Sequence, residues 1–515
     1  MELNHRHPEY VTWKYEEMQF ALLGGIRIEG LHSMRVTLKI DFKTFPSIRH
    51  SLDLYNEQQA DKLIKNIAER FTLSTTYVHK AIGHLINTVE DYRLQALEQT
   101  KATNQHTLTA EELNEAMAFL KQGNLLKATN DLIGRSGVTG EEINRLIMYL
   151  VFTSRKTNRP LHIISFGSSG VGKSHLQERV AELIPPEDKI ELTSVSGNAF
   201  YYYDKDELGH KLILIEDYDG VLSALYPIRE LQSKQKIRKT ITVRDKSGNT
   251  KTLHLTVNGP VSIGGCTTNE HIYEDNANRS FLIYLDESQA QDERIMDYQR
   301  RLSAGKIDVQ EQQKIQEFLQ NVQRALKPVT VKNPYAEQLL IPRQVFKPRR
   351  SNAHYIGFIE AITFYKQYQR EHQSGFIETT LEDIAEANEL MKHLLLKKSD
   401  ELGYATRNYL ERLKGYLQKN KLKQFTNKEA RQSLRENPSN QKKYMAELQL
   451  YGYIRKAGGD KKNGFTYGIL SYEEYERLQG SIAGALDNIL QRISSSEEVP
   501  EVSEPLKPRP ALKKS

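Results

Sequence analysis

The sequence is short of cysteine, of long apolar runs and of apolar residues in general, and each shortage excludes a class of protein. Its 515 residues include one cysteine, Cys266, so an internal disulfide and a cysteine-rich zinc site are excluded. The longest uninterrupted apolar run is Leu146–Phe152, far shorter than the roughly 20 residues of a membrane span. The first residues carry His5, Arg6 and Glu9 without an apolar segment, unlike a secretory signal. We therefore expect a cytoplasmic protein with no membrane contact.

The apolar content indicates a protein with much surface. Apolar residues make up 38% of the chain, below the ~45–50% that is usual for globular proteins. Periodic apolar segments nevertheless run almost throughout, so the chain is not disordered as a whole. At roughly 100–200 residues per domain, a length of 515 residues favours several domains.

Positive charge is concentrated in two segments. The whole chain has a formal net charge of +6, but the segment from Lys234 to Lys251 alone has +6, and the segment from Tyr404 to Leu470 has +10. The remainder is therefore acidic, at −10. Two basic segments on an acidic body favour contact with a polyanion at two places, although basic runs are also typical of solvated faces.

The spacing of apolar residues changes along the chain. Residues 1–55 contain β-like stretches and residues 56–100 have helical spacing. Two capping-box patterns, Thr109-x-x-Glu112 and Thr139-x-x-Glu142, predict the starts of two further helices. From residue 161 short buried strands alternate with helices, which is the pattern of a parallel α/β core. After about residue 300 the pattern is helical again.

A glycine-rich loop follows the first buried strand of this core. Residues 167–174 read Gly-Ser-Ser-Gly-Val-Gly-Lys-Ser and fit G-x-x-x-x-G-K-[ST] at every fixed position, with a strand before and a helix after. We predict that Lys173 contacts the β- and γ-phosphates of ATP and that Ser174 is a ligand of Mg²⁺. The predicted nucleotide-binding residues here are Gly167, Ser168, Ser169, Gly170, Val171, Gly172, Lys173, Ser174 and His175.

Two acids end the strand predicted over residues 211–215. Because parallel strands bind ligands at their carboxyl ends, we predict that Glu216 and Asp217 are catalytic, one organising Mg²⁺ and the other orienting the attacking water. Glu216 is the predicted metal ligand. Surface acids at the end of an ordinary strand are the alternative interpretation.

Two further residues are candidates for contact with the γ-phosphate. The buried strand that begins at Val261 ends in polar residues, of which Asn269 is the first choice and Thr268 the second. Arg279 lies just before another apolar strand, and an arginine of this kind stabilises transition-state charge when it enters a neighbouring subunit's site. A plain turn and a surface arginine are the respective alternatives.

The order of these parts resembles the AAA+ ATPases, and most closely the minichromosome maintenance (MCM) replicative helicases, over about residues 155–400. Ile215-Glu-Asp-Tyr-Asp219 is similar to that family's Walker B motif, with the two acids in swapped order. Asn278-Arg-Ser-Phe-Leu-Ile resembles its arginine finger, and Pro348-Arg-Arg350 resembles its sensor-2 motif, which implies that Arg350 contacts the γ-phosphate. The blocks at 229–236 and 273–281 also resemble ATPases that accompany zinc-finger primases in bacterial mobile elements, which implies a primase partner.

Val257-Asn-Gly-Pro-Val resembles the family's sensor-1 strand. Between the Walker B stretch and this one, two alternating segments flank a Gly-Asn turn and predict a β-hairpin. The resemblance places it where MCM proteins carry the pre-sensor hairpin that grips DNA. On that likeness Arg244, Lys246 and Lys251 contact DNA. No zinc-binding cysteines precede the core, and the family's usual second insertion has no room here.

The basic C-terminal segment resembles a winged helix. Residues 426–434 and 441–451 predict two helices, followed by a hairpin with its tip at 458–464. The candidate DNA contacts are Lys442, Lys443, Lys461 and Lys462. A winged helix that contacts protein is the alternative.

These observations predict an α/β AAA+ core with a parallel sheet, a P-loop and a pre-sensor hairpin, a helical lid, a mostly helical N-terminal region and a C-terminal winged helix. The predicted divisions are 1–104, an N-terminal α+β region; 105–155, a helical linker; 156–300, the ATPase core; 301–403, the lid; 404–480, the winged helix; and 481–515, a disordered tail.

The predicted function is a DNA-dependent ATPase, an MCM-like helicase or translocase acting in DNA replication, with ATP and Mg²⁺ as cofactors, single-stranded or forked DNA as partner and a homo-hexameric ring. An ATP-switched initiator or helicase loader is the first alternative. An ATP-dependent transcription activator is the second, but the loop typical of those proteins is missing: the nearest segment, Gly197-Asn-Ala-Phe200, is followed by tyrosines.

Overall fold

The structure is a computed structural model of the chain. It describes residues 3, 4, 7–28, 33–103, 107–244, 250–268, 278–341, 348–372, 375–460 and 464–495, with the backbone alone described at 97–103, 243–244 and 398. The chain divides into two compact units, Met1–Thr107 and Leu108–Ser515. Within the described residues, no helix is both long enough and apolar enough to cross a lipid bilayer.

The first unit is a four-stranded antiparallel sheet with two helices. Its strands lie in chain order, and their inward residues alternate with outward ones, as in the third strand, whose even-numbered positions Val36, Leu38, Ile40 and Phe42 are buried. The first helix begins after Asn56, whose side chain accepts a hydrogen bond from the backbone N–H of Gln59. The elements are β1 Tyr10–Tyr15, β2 Met18–Leu23, β3 Arg35–Phe42, β4 Ile48–Asp53, α1 Glu57–Phe71 and α2 Thr75–Thr103.

Three helices open the second unit: α3 Ala110–Leu120, α4 Leu125–Arg135 and α5 Glu142–Thr153. The capping box predicted at Thr109 and Glu112 is confirmed, with each side chain bonded to the other's backbone N–H. The one predicted at Thr139 is wrong. α5 begins only after Glu141, which has a left-handed backbone, and the Thr139 carbonyl accepts a hydrogen bond from the Gln291 side chain instead. A distant side chain therefore holds this turn in place of the local box.

These three helices are part of the P-loop unit and not a separate linker. Buried residues of α3, α4 and α5, such as Phe119, Ile133 and Phe152, belong to the same apolar cluster as Ile163 and Leu212 of the central sheet. The prediction of a helical linker at 105–155 is therefore corrected. The apolar sides of these helices need a partner, and the core of the P-loop unit supplies it.

The centre of the second unit is a five-stranded parallel sheet. Its strands are β5 His162–Phe166, β6 Lys189–Leu192, β7 Lys211–Ile215, β10 Val261–Thr267 and β11 Phe281–Tyr284, in the spatial order β11-β5-β10-β7-β6. Both faces are covered, because Ile163 packs into one apolar cluster and Ile164 into another. The sheet places β10 between β5, which precedes the glycine loop, and β7, which precedes the acids.

Two helices and a long hairpin connect these strands. α6 Lys173–Ala181 follows the glycine loop, and α7 Leu225–Lys234 follows the acids. The hairpin consists of β8 Lys236–Arg244 and β9 Thr250–Asn258, paired antiparallel along their whole length. At its base the N–H of Gly259 donates a 2.7 Å hydrogen bond to the carbonyl of Gln235.

The next part of the unit is mainly helical. It contains α8 Gln289–Ser303, α9 Val309–Ala325, α10 Pro348–Tyr365 and α11 Leu381–Ser399, with a short parallel pair formed by β12 Thr330–Lys332 and β13 Phe376–Glu378. Buried residues of α9, α10 and α11 join the apolar cluster of the central sheet. The helical region is therefore packed on the α/β core.

The basic C-terminal segment has a core of its own. It comprises α12 Tyr404–Lys419, β14 Phe425–Thr426, α13 Asn427–Ser433, α14 Pro438–Leu450, β15 Ile454–Asp460 and β16 Gly464–Ile469, and the three strands form an antiparallel sheet in the order β14-β16-β15. Tyr409, Leu413 and Phe425 are among its buried residues.

The assignment of residues 481–515 to a disordered tail is wrong for its first part. Residues Glu474–Ser495 form α15, and Ile482, Leu486, Ile489 and Ile493 are buried along one side of it. These residues are spaced at four, three and four positions, which gives one helical face, and that face joins the cluster that contains Leu395 of α11. Residues 496–515 lie outside the described residues.

Candidate functional site

The glycine loop between β5 and α6 forms a cradle of backbone N–H groups at a helix N-terminus. Gly170 and Gly172 have φ angles of +88° and +91°, which residues with a side chain rarely adopt. α6 begins directly after Gly172, so its free N–H groups and the positive end of its dipole point into the loop. Such a cradle fits phosphate.

Lys173 is held inside this loop. Its side chain is buried, and its Nζ donates hydrogen bonds of 2.9 and 2.7 Å to the carbonyls of Gly167 and Ser168. Burial lowers the pKa of Lys173, while the charges of Asp217 and Glu287 act in the opposite direction. The ammonium group therefore has two carboxylates near it and lies where a phosphate would complete its neutralisation.

Ser174 lies against the neighbouring strand β10. Burial raises the pKa of the Cys266 thiol to about 12, and a hydrogen bond with Ser174 partly offsets that effect. This contact places the Ser174 hydroxyl between the start of α6 and β10. The Cys266 thiol is not a candidate nucleophile, because a buried cysteine with a raised pKa stays protonated.

Gln177, which the sequence patterns did not single out, joins the loop helix to the strand of the acids. It is buried one turn after Lys173, and its Nε2 donates a 3.1 Å hydrogen bond to the carbonyl of Ile215. Its Oε1 lies 3.6 Å from the Sγ of Cys266. The sequence held one sign of its role: Gln177 is a polar residue on the apolar side of the helix, beside Leu176 and Val180.

The two acids at the end of β7 are exposed and differ in their surroundings. Asp217 accepts a 3.1 Å hydrogen bond from the backbone N–H of Asp219, and its charge acts on Lys173. The N–H of Glu216 donates to the carbonyl of Leu192 on β6. Hydroxyl and carboxylate oxygens are the ligands that Mg²⁺ prefers, so Ser174 and these acids fit that ion in chemistry. Among the residues that the structure describes, no cluster of His, Cys, Asp and Glu would hold a metal unaided.

Glu287 is a second residue that sequence reasoning missed. It follows β11, and its Oε1 accepts hydrogen bonds from the backbone N–H of Ser168 at 3.3 Å and from the Ser168 hydroxyl at 2.9 Å. A carboxylate thus contacts the start of the phosphate cradle. The chain between 278 and 287 contains no motif that marks Glu287, because its partner is about 120 residues away in sequence.

An aromatic stack runs from the end of β5 to the C-terminal segment. The ring of Tyr284 is stacked on Phe166 at 5.4 Å between centroids and on Tyr404 at 4.7 Å. The Nζ of Lys397 lies 5.0 Å from the Tyr284 ring and 5.2 Å from the Tyr404 ring, and burial lowers the pKa of Lys397 to about 8. The stack connects the strand before the P-loop with α11 and α12.

Neither predicted arginine, Arg279 or Arg350, lies beside the glycine loop. Arg279 precedes β11, so it lies at the amino ends of the strands, whereas the P-loop lies at their carboxyl ends. Its Nε donates a 2.6 Å hydrogen bond to the Ser233 hydroxyl. Arg350 is exposed in the first turn of α10, one turn before His354, whose ring lies 5.0 Å from that of Phe281.

Of the remaining predicted nucleotide contacts, His175 and Thr268 are exposed, the latter directly after β10. Asn269 lies outside the described residues. The structure therefore gathers Lys173, Ser174 and Asp217 around one loop, and the role of each predicted residue stays a prediction.

The predicted nucleic-acid contacts lie in two places. Lys251 is exposed at the outer part of the hairpin, and Lys442 and Lys443 are exposed on α14. Lys246, Lys461 and Lys462 lie outside the described residues, as does the side chain of Arg244.

Comparison with solved structures finds similar chains at low identity. A full-length MCM homolog from Methanopyrus kandleri is 13% identical, with a TM-score of 0.37, over 57% of this chain and 64% of its own. A structure described as "SCCmec type IV Cch - active helicase" is 10% identical, with a TM-score of 0.27, over 93% of this chain and 99% of its own. The C-terminal region of NrS-1, in its A-form apo structure, is 12% identical, with a TM-score of 0.22, over 71% and 77%. The chain thus spans slightly less than two thirds of the MCM homolog.

Sequence comparison locates the family resemblance in one part of the chain. No curated protein matches the sequence. Residues 109–328 match the family described as "MTBMA_p00010 P-loop domain", a region that begins at the cap of α3 and includes the loop, the acids and the hairpin. Residues 109–328 therefore form a P-loop domain, built on a parallel sheet that fits an AAA+-like core.

Proposed function

We propose that the chain is an ATP-hydrolysing DNA motor, an MCM-like helicase or translocase that acts in DNA replication of a mobile genetic element. The observation that carries this proposal is the path of the chain between two neighbouring strands of the central sheet. After β7 and its acids the chain forms α7 and the basic hairpin β8–β9, and it then returns as β10, the strand beside β7. A hairpin inserted between two strands of the nucleotide site, through α7 on one side and directly on the other, is expected to move when those strands move.

The site residues have the following proposed roles. Lys173 and the N–H groups at the start of α6 bind the β- and γ-phosphates of ATP. Ser174 and Glu216 hold Mg²⁺, which neutralises phosphate charge when bound. Asp217, whose charge acts on Lys173, orients the attacking water. Asn269 is proposed to contact the γ-phosphate, as in the sequence prediction.

The position of Arg279 supports an oligomer. Arg279 lies two residues before β11, and the strand itself runs three residue steps from Phe281 to Tyr284 at its P-loop end, about 10 Å at ~3.3 Å per residue. An arginine side chain is shorter than that distance. Arg279 is therefore proposed to act on the nucleotide of a neighbouring subunit in a ring of six copies. Arg350 is proposed to contact the γ-phosphate, as in the sequence prediction.

The proposal is tested by measuring ATP hydrolysis and native mass with and without single-stranded, forked and duplex DNA. We expect hydrolysis to rise with single-stranded or forked DNA, and Lys173→Ala to abolish it. Lys314→Ala, which removes an exposed lysine of α9, is the matched control and should hydrolyse ATP at the wild-type rate. No hydrolysis by the wild-type protein, or hydrolysis indifferent to DNA, would contradict the proposal.

Strand displacement separates a motor from a simple DNA-stimulated ATPase. The double variant Lys246→Ala and Lys251→Ala should lose displacement of a forked substrate while it still binds ATP. If displacement remains intact, the hairpin does not have the proposed role.

An ATP-switched initiator or loader is the second candidate, and the C-terminal segment favours it. Lys442 and Lys443 are exposed on α14, which follows the capped helix α13 and a short turn, as in a winged helix that enters a DNA groove. Slow hydrolysis without strand displacement, together with site-specific duplex binding, would favour this candidate. A primase is a further proposed partner in either case.

A further inference from the structure

A groove lies between the base of the hairpin and the tyrosine-rich segment that follows β6. It encloses about 700 Å³, and its walls include Tyr201 and Tyr203 on one side and Lys236, Arg238 and Lys239 of β8 on the other, with Lys205 at one end. We call it the tyrosine groove. None of these residues is among the DNA contacts proposed above, although the three of β8 belong to the basic segment Lys234–Lys251.

The tyrosine wall is fixed to the core. Phe200 is fully buried in the apolar cluster that also contains Ile213 and Val257, so it anchors the segment that carries the tyrosines. Farther along, the backbone N–H of Asn258 on β9 donates a 2.7 Å hydrogen bond to the carbonyl of Lys205. The groove is therefore preformed, which lowers the entropic cost of binding.

Four basic side chains lie in the lining of the groove. Within the described part of the chain, Lys205, Lys236, Arg238 and Lys239 form no salt bridge, and no acidic side chain lines the groove. The Nζ of Lys239 lies 5.3 Å from the centroid of the Tyr201 ring and donates to the Asn198 side chain.

The neighbouring acids are engaged elsewhere. Asp206 accepts a 2.7 Å hydrogen bond from the Asn258 side chain, and Glu207 accepts one from the backbone N–H of Asp204. These two carboxylates keep their charge, but they bond to groups outside the lining, so the charged side chains that line the groove are all basic.

We infer that the tyrosine groove binds single-stranded DNA, with phosphates on the basic wall and an unpaired base stacked on Tyr203. This inference rests on the proposed function for its choice of DNA. Basic grooves with aromatic side chains are the general solution for single strands, because every base has a face that stacks on an aromatic ring. Tyr203 is only half-buried, whereas Tyr201 is covered by Lys239, so Tyr203 is the ring that a base reaches.

The groove is a DNA-binding surface separate from the contacts proposed near the tip of the hairpin. Eight residue steps separate Lys236 from Arg244 along β8, about 26 Å at ~3.3 Å per residue. The DNA contacts proposed near the tip and those of the groove would hold the same strand at two points along the hairpin.

The first experiment measures fluorescence anisotropy of a labelled thirty-nucleotide oligo(dT) titrated with the full chain. Tyr203→Ala loses one stacked base, so it is expected to bind the oligonucleotide roughly 5- to 150-fold more weakly, since stacking contributes about 1–3 kcal/mol per base. Tyr203→Phe keeps the ring and is expected to bind like the wild type. Wild-type affinity in Tyr203→Ala would overturn the stacking role, and equal loss in Tyr203→Phe would assign the effect to the hydroxyl group instead.

The second experiment measures the salt dependence of the same binding. The exposed pair Lys205→Ala and Arg238→Ala should reduce the slope of log K against log[salt] by about 1.4, at ~0.7 for each phosphate contact with a single strand. Arg301→Ala with Lys306→Ala removes the same charge from an exposed region and is the matched control, with an unchanged slope expected. Equal slopes for the two double variants would overturn the phosphate contacts. Circular dichroism melts of all variants check that each one is folded.

Failure of this inference can be separated from failure of the proposed function. If the wild type binds oligo(dT) and the groove variants do not, while no ATP is hydrolysed, the groove is correct and the motor is not. If DNA stimulates hydrolysis and the groove variants bind DNA normally, the motor is correct and the groove is not. Tighter binding of oligo(rU) than of oligo(dT) would reassign the groove to RNA and overturn the choice of DNA.

Discussion

Two adjacent glycines of β10 allow one substitution to be compared on the two faces of the central sheet. Gly265 pairs with Ile215 of β7 and Ile164 of β5, and it faces the ring of Tyr218. A Cβ at Gly265 would lie 2.4 Å from the Cε2 atom of Tyr218. Since an ordinary carbon–carbon contact is about 3.5 Å, the ring must move by about 1 Å in Gly265→Ala.

That movement would reach the candidate site. Tyr218 is fully buried and directly follows Asp217, so the ring cannot shift by that amount without moving the carboxylate beside it. Overpacking of this kind costs about 1–3 kcal/mol of stability. Misplacement of a reacting group by about 1 Å can cost up to about 100-fold in rate, so we expect Gly265→Ala to lower kcat for ATP hydrolysis about 10- to 100-fold.

Gly264→Ala is the matched control on the opposite face. A Cβ at Gly264 would lie 2.9 Å from the Cε1 atom of Phe152, which belongs to α5 and not to the candidate site. We expect a comparable loss of stability and a kcat close to wild type. Steady-state ATP hydrolysis and thermal unfolding of both variants measure the two effects. Equal losses of kcat in Gly264→Ala and Gly265→Ala, or wild-type kcat in Gly265→Ala, would refute the reasoning.

Three further predictions concern buried or inter-subunit groups. Arg279→Ala should abolish ATP hydrolysis and spare ATP binding, measured by turnover and by nucleotide titration; full hydrolysis would exclude an inter-subunit role. Arg407→Met should lower the free energy of unfolding of the C-terminal segment by about 3–5 kcal/mol in urea titration, because it leaves the buried carboxylate of Asp400, now 2.7 Å from the guanidinium, without its partner. Burial lowers the pKa of His162 to about 4, so between pH 6.5 and 4 only the unfolded state binds this proton and stability falls as the pH falls, by about 2 kcal/mol at pH 5. His162→Gln should show a smaller pH dependence of the melting temperature over that range, and an unchanged dependence would contradict the assignment.

The parts of the site that were predictable depend on local chemistry. The P-loop is eight consecutive residues whose backbone conformations require glycine at fixed positions, so its pattern is visible without any partner. The strands before the loop and before Glu216 are mainly apolar, with apolar residues on both faces, which favours a sheet covered on both sides. The box at Thr109 is likewise complete within four residues.

The errors arose where a partner from elsewhere in the chain decides the local structure. Thr139 and Glu142 have the spacing of a capping box, but the Gln291 side chain donates a hydrogen bond to the Thr139 carbonyl and the helix begins only after Glu141. The apolar face of α15 is evident only once α11 is available to cover it, whereas the composition near the end of the chain favours disorder.

The sequence by itself determined that the chain has a phosphate-binding loop, acids at a strand end and two basic segments, because each depends on neighbouring residues. Tertiary structure alone decided that Glu287 contacts the loop and that Gln177 joins the helix after the loop to the strand of the acids. It also decided that Arg279 lies at the opposite end of the sheet and that the tyrosines after β6 face the base of the hairpin. These contacts join residues far apart in the chain, and no spacing rule covers them. The order of the strands in the sheet, which the packing of the whole core sets, is what brings them together.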